Sequence, residues 1–122
     1  MSLISRFENN RETLLSVLMN QKLVSNNSEI AEEIATNGQL VEFLKNETII
    51  NQDDDDQDVY FLLTGEAKIY INGAELPQRR KAGVSIGEMS VIDPSAPRSA
   101  TLVADETVVA VKVDSKFFNE LL

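Results

Sequence analysis

Ile86-Gly87-Glu88-Met89-Ser90 and, after a short proline-containing loop, Pro97-Arg98-Ser99-Ala100-Thr101 form the stretch on which the reading of this chain turns. It sets a carboxylate and a guanidinium ten residues apart, each beside small residues that let backbone come close to a ligand. Gly87 precedes an expected short helix, whose first N–H groups have no intrahelical acceptor. Arg98 adds a forked cation. Amide donors and a guanidinium together hold a phosphate from two sides, which leaves Glu88 to accept a hydrogen bond from a sugar hydroxyl. The chemistry fits a small sugar phosphate.

Outward from this stretch the chain reads as strand after strand. In Ala67-Lys68-Ile69-Tyr70-Ile71, Ala67, Ile69 and Ile71 fall on one face and Lys68 and Tyr70 on the other. Val109, Val111 and Val113 repeat the pattern, with Lys112 facing away. Turn signals separate the runs at Asp53–Asp58, Thr64-Gly65, Asn72-Gly73 and Asp93-Pro94, and Asn72-Gly73 is the strongest local hairpin signal. Short strands at such spacing predict an antiparallel sandwich or barrel. Asp114-Ser115 is placed to cap a last short helix over 116–122.

The segment 1–38 reads helical. Ser5 with Glu8 makes a capping-box pattern ahead of a helix running to about Gln21, with Phe7, Leu14, Leu15 and Leu18 on one stripe that serves as core. Ser25-Asn26-Asn27-Ser28 breaks it. A second helix ends at Gly38, expected as a left-handed cap.

Composition narrows the function classes. The 122 residues suffice for one domain with a single core. The chain has no histidine and no cysteine, which removes the usual zinc sites and every Ser-His or Cys-His nucleophile pair. A net charge of −9 argues against a nucleic-acid backbone as partner. Arg79-Arg80-Lys81, the basic cluster, is expected in a solvated loop. No apolar run reaches the length of a membrane span and no secretory leader pattern opens the chain, so the cytoplasm is the expected compartment. The acidic run Asp53–Asp58 lacks the Gly and Glu of an EF-hand loop at the sixth and twelfth positions, where Asp58 and Thr64 stand. It reads as a solvated, self-repelling turn, and no metal site is expected.

The run GEMSVIDPSAPRSAT over 87–101 resembles the phosphate-binding cassette of the cyclic-nucleotide-binding domain family, and the likeness extends over about 40–122, where FLKNETIINQ, VYFLLTGEAKIYI and VVAVKV look like the family's strands in order. The resemblance implies a mainly β fold, an antiparallel, jelly-roll-like β-roll over 39–122 flanked by N-terminal helices over 1–38 and by the start of a hinge helix at 116–122. It implies a non-enzymatic sensor whose ligand is cAMP or cGMP, with Glu88 on the ribose 2′-hydroxyl and Arg98 on the cyclic phosphate. Ser99 stands beside the phosphate, and Gly87, Met89, Ser90 and Ala100 line the pocket. It further implies that Met89 packs on the hinge, with Phe117 and Phe118 receiving the motion. A homo-oligomeric partner or an effector domain beyond the C-terminus is expected. The usual Gly-Asp-x-Phe-Gly-Glu run appears here as Gly83-Val84-Ser85-Ile86-Gly87-Glu88.

Taken singly, each residue has a plainer role. Arg98 would be an ion-pair partner that closes the sheet, Glu88 an acid at a helix N-terminus, and Gly83 and Gly87 turn glycines. Their joint order inside the strand pattern favours ligand binding. The alternatives are a ligand-free protein-interaction domain on the same fold and a cupin-like enzyme, the latter disfavoured because cupin metal sites depend on histidine.

Overall fold

Two asparagines decide how the chain begins. In the computed structural model, which describes residues 3–89, 93 and 95–121, the expected first helix is divided into α1 (Ser5–Glu8) and α2 (Arg11–Met19). Asn10, at φ −142° and ψ 84°, accepts a hydrogen bond from the Thr13 N–H at 3.1 Å and so starts a helix of its own. A side chain that competes for backbone donors in this way ends one helix as it opens the next. The capping position of α1 is Ile4 and not Ser5, with no side-chain cap. Ser25 and Asn26 then turn at positive φ, and Asn27 caps α3 (Ser28–Asn37) through the N–H groups of Glu29 and Ile30.

Gly38 corrects another expectation. It is extended, at φ −85° and ψ 170°, not left-handed. Its reason is space: a Cβ there would run into Val111 Cγ1 and lie 2.7 Å from the Ile34 carbonyl oxygen. Glycine lets α3 pass close over the sheet.

The remaining chain forms β1 (Gln39–Phe43), β2 (Thr48–Ile50), β3 (Val59–Thr64), β4 (Glu66–Ile71), β5 (Ala74–Lys81), β6 (Ser85–Ile86), β7 (Thr101–Ala104) and β8 (Val108–Val113), closed by α4 (Ser115–Leu121). These strands make two four-stranded antiparallel sheets, ordered β1-β8-β3-β6 and β2-β7-β4-β5. This is the expected β-roll with jelly-roll strand order and flanking helices. The Asn72-Gly73 hairpin forms as read, with φ of 52° and 81° at its two central residues, the pair of positive values a type I′ turn requires.

Two apolar layers result. Val109, Val111 and Val113 of β8, with Val59, Phe61 and Leu63 of β3, face the helices and pack with Leu14, Leu18 and Ile34. The alternate residues Val108, Ala110, Tyr60 and Leu62 face the second sheet. Both central strands are therefore apolar on both faces, and alternation alone accounts for only one. Phe118 of α4 is buried against Phe61, ring centroids 6.1 Å apart, while Asp114 accepts from the Phe117 N–H at 2.8 Å and caps that helix.

Arg79, Arg80 and Lys81 lie in β5, paired with Lys68, Ala67 and Glu66, and not in a loop. The edge of β4 supplies their backbone partners, and the charge of Arg79 is met by Glu75 at 3.0 Å and Asp105 at 3.6 Å. No helix among the described residues is long and apolar enough to cross a membrane.

Candidate ligand site

β6 ends at Ile86, and the chain must then turn sharply without colliding with Arg98. Gly87 makes that turn at φ +91°, a value that side-chain-bearing residues adopt only under strain. A Cβ at this position would lie 2.6 Å from Arg98 Nη1 and 2.6 Å from the Asp58 carbonyl oxygen. Met89 follows in helical conformation and its carbonyl accepts from the Asp93 N–H at 3.0 Å. Arg98 and Ala100 lie on the approach to β7, and backbone pairing fixes Arg98: its N–H donates to the Asp54 carbonyl at 2.7 Å, and its carbonyl accepts from Asp53 N–H at 2.8 Å.

Gly87, Glu88, Met89, Arg98, Ser99 and Ala100 line one cleft of about 370 Å³. Ser90, the remaining expected site residue, lies outside the described residues. Sequence reasoning missed the other walls. Ile50, Ile69 and Leu102 supply an apolar surface, and Arg80 a second guanidinium. The backbone N–H groups of Ser99 and Ala100 have no acceptor among the described residues. Amides of this kind, with an arginine beside them, are what a phosphate anion needs.

Arg98 is 4% exposed and its fork is organised by the acidic turn. Nε and Nη2 reach Asp56 at 3.3 and 2.8 Å, Nη2 also donates to the Asp58 carbonyl at 2.6 Å, and Nη1 donates to the Gly87 carbonyl at 2.9 Å. The Asp53–Asp58 run is thus not merely a solvated turn. It supplies the counter-charge that a buried guanidinium requires, and Asp58 also pairs with Lys112 at 3.4 Å. The available signal was arithmetic: a buried arginine needs an acid, and the chain concentrates five of its acids here.

Hydrogen bonding to Arg98, more than its charge, lowers the Asp56 carboxyl below its ordinary 3.8, against the opposing effect of burial. A depressed carboxyl contributes stability that is complete above the unfolded value and is lost as pH falls through the folded one. Asp56→Asn is therefore expected to show a shallower loss of stability with acid than the wild type. Urea midpoints for both proteins across the acid range check this, and identical slopes would contradict it.

Glu88, next in the chain after Gly87, meets partners other than the acidic turn. Its Oε2 accepts from Ser85 Oγ at 3.4 Å and its Oε1 lies 3.8 Å from Arg80 Nη2. Met89 is 63% exposed, and Phe118 of the C-terminal helix is seated on Phe61. Among the described residues no three His, Cys, Asp or Glu side chains are grouped to hold a metal ion.

Comparison with known proteins agrees with this geometry. The family model described as "Cyclic nucleotide-binding domain" matches residues 40–122. The Pycsar effector protein PaPycTIR of Pseudomonas aeruginosa is 37% identical over 121 residues, covering 98% of this chain and 39% of that protein. The regulatory subunit of a cAMP-independent protein kinase A from Trypanosoma brucei superposes with a TM-score of 0.81 at 21% identity, covering 94% of this chain and 43% of that one. The regulatory domain of Toxoplasma gondii PKA, solved with cAMP, gives a TM-score of 0.79 at 21% identity over 94% of this chain and 45% of that one. At such identity the structural likeness concerns the fold. The chain spans 39% of the length of the first curated relatives it matches. With the matched span covering both sheets and the Gly87–Ala100 cleft, the chain belongs to the cyclic nucleotide-binding domain family.

Proposed function

We propose that this chain is a regulatory sensor for a 3′,5′-cyclic nucleotide, binding it in the Gly87–Ala100 cleft without chemical conversion. One observation carries the reading: a buried, pre-oriented Arg98, amides at Ser99 and Ala100 with no acceptor among the described residues, and a hydroxyl-accepting Glu88 belong to the lining of the same cleft. In this reading Arg98 and the amides take the phosphate and Glu88 the ribose 2′-hydroxyl. Ile50, Ile69 and Leu102 cover an apolar face of the sugar and base. Phosphate and ribose are common to every cyclic nucleotide, so these contacts serve cAMP and cGMP alike.

The acidic turn is the proposed route from the ligand to the C-terminal helix. Asp56 holds Arg98, and its neighbour Gln57 accepts from Ser115 Oγ at 3.3 Å at the start of α4. A ligand that draws on Arg98 changes what holds Asp56, and it shifts α4 to the extent that it prefers one placement of the turn. The Pycsar effector protein it resembles is longer than the matched span, and the sensor would likewise serve an effector within a longer protein.

Calorimetry with cAMP, cGMP, cCMP and cUMP tests the first part, and amide hydrogen exchange of 115–121 with and without the tightest ligand tests the second. Saturable binding with changed exchange in α4 is expected. The thermal transition should rise as well, since ligand at 100 times its dissociation constant adds about 2.7 kcal/mol. Absence of binding by all four would sink the sensor reading; unchanged exchange in α4 would sink the coupling. The ligand-free interaction domain draws on a specific observation, the occupation of the Arg98 fork by Asp56, and is the reading left standing in the first case.

A further inference from the structure

Arg80 belongs to a basic triplet that the phosphate and ribose contacts do not use. Its position in β5 is fixed by pairing with Ala67 of β4. Directly paired residues of antiparallel strands present their side chains to the same face, and Ala67 faces the layer between the sheets. The register therefore turns Arg80 into the cleft, where it is part of the wall. Nη2 is anchored by donating to the Ser85 carbonyl at 2.7 Å.

From that anchor the same nitrogen lies 3.8 Å from Glu88 Oε1, beyond a hydrogen bond but within ion-pair reach. The other carboxylate oxygen of Glu88 is held by Ser85 Oγ at 3.4 Å. Both oxygens of Glu88 are thus addressed by one small unit, Arg80 and Ser85, that is itself tied together through the Ser85 carbonyl. Both partners of the ion pair are about one-third exposed, so the pair adds little to stability. Its consequence is orientation: without it a glutamate side chain beside a glycine would sample several rotamers.

We propose that Arg80 is a positioning residue that holds the Glu88 carboxylate in the orientation that reads the ribose 2′-hydroxyl, so that it governs discrimination between cyclic ribonucleotides and their 2′-deoxy counterparts. This rests on the sensor reading of the cleft. It adds a residue from outside the 87–101 stretch to the recognition of the sugar.

The test compares the wild type, Arg80→Met and Arg80→Lys, by calorimetry, for the tightest of the four cyclic nucleotides and for its 2′-deoxy form. The wild type is expected to prefer the ribonucleotide by about 10-fold or more, the worth of one hydrogen bond to a charged acceptor. In Arg80→Met, which keeps the apolar stem, the affinity for the ribonucleotide should fall several-fold, with a much smaller loss for the 2′-deoxy form. Arg80→Lys, which restores the charge without the fork, should recover part of the preference. A preference left intact in Arg80→Met overturns the proposal while leaving the sensor reading in place. So does an equal loss for both ligands, which places the effect on the phosphate or the fold. A wild type that binds none of the nucleotides overturns the sensor reading and this proposal with it.

Discussion

Arg98→Leu is expected to weaken cyclic-nucleotide binding by about 30-fold to several thousand-fold, the range for truncating one partner of a buried, hydrogen-bonded charge pair. The substitution removes the cation that the proposed function assigns to the phosphate and also dismantles the group's own supports. Arg98 is 3% exposed in its side chain and spans Asp56, the Asp58 carbonyl and the Gly87 carbonyl. Leucine fills comparable space and leaves these acceptors without their donor, at a cost of about 1–3 kcal/mol for each one that water does not reach. Asp56 is 42% exposed, so solvent relieves part of its loss. Lysine is not a substitute: one ammonium cannot make the fork that meets Asp56 through two nitrogens. Calorimetry for binding, with circular dichroism and urea unfolding for the folded state, separates the two consequences. A folded Arg98→Leu protein with undiminished affinity would remove Arg98 from the site.

Gly87→Ala should both destabilise the domain and disrupt the site. Alanine at φ +91° meets backbone strain of about 1–2 kcal/mol. Its Cβ would lie 2.6 Å from Arg98 Nη1 and from the Asp58 carbonyl oxygen. Neither yields freely, because Arg98 Nη1 donates to the Gly87 carbonyl, the Asp58 carbonyl accepts from Arg98 Nη2, and the turn is held by Asp53, Asp54 and Asp56. The total loss is expected to exceed the backbone contribution clearly, on the order of 3 kcal/mol, in the range of other overpacked sites. Gly83→Ala is the internal control. Gly83 has a similar φ of +99° but nothing within 4 Å of where a Cβ would stand, so it should show the backbone contribution alone. Equal losses in the two variants, measured by urea unfolding, would mean that the contact of Gly87 with Arg98 is soft and that the cleft is not preorganised by it.

The sequence by itself determined the roll. Alternation in 67–71 and 109–113, the Asn72-Gly73 turn and the run of turn signals are local features, and local sterics and burial suffice to turn them into strands and hairpins. It also placed Gly87, Glu88, Arg98, Ser99 and Ala100 together, because their spacing matches a known cassette. What depended on distant partners was not legible. Gly38 looked like a helix cap, and only the approach of Val111 across the fold shows why it must lack a side chain. The helix from Ser5 looked continuous, yet Asn10 had a better use for its side chain than solvent.

The acidic run and the basic triplet teach the same lesson from opposite charges. Both looked solvated because charge runs usually are, and the sequence does not say which members will face a cleft. The tertiary structure alone decided that Asp56 meets Arg98 across forty-two residues and that the β4–β5 register turns Arg80 toward Glu88. A long-range ion pair is set by strand order and register, which emerge only when two sheets close on a common core. Local pattern fixes the elements; the closing of the roll fixes which charges meet, and with them the electrostatics of the cleft.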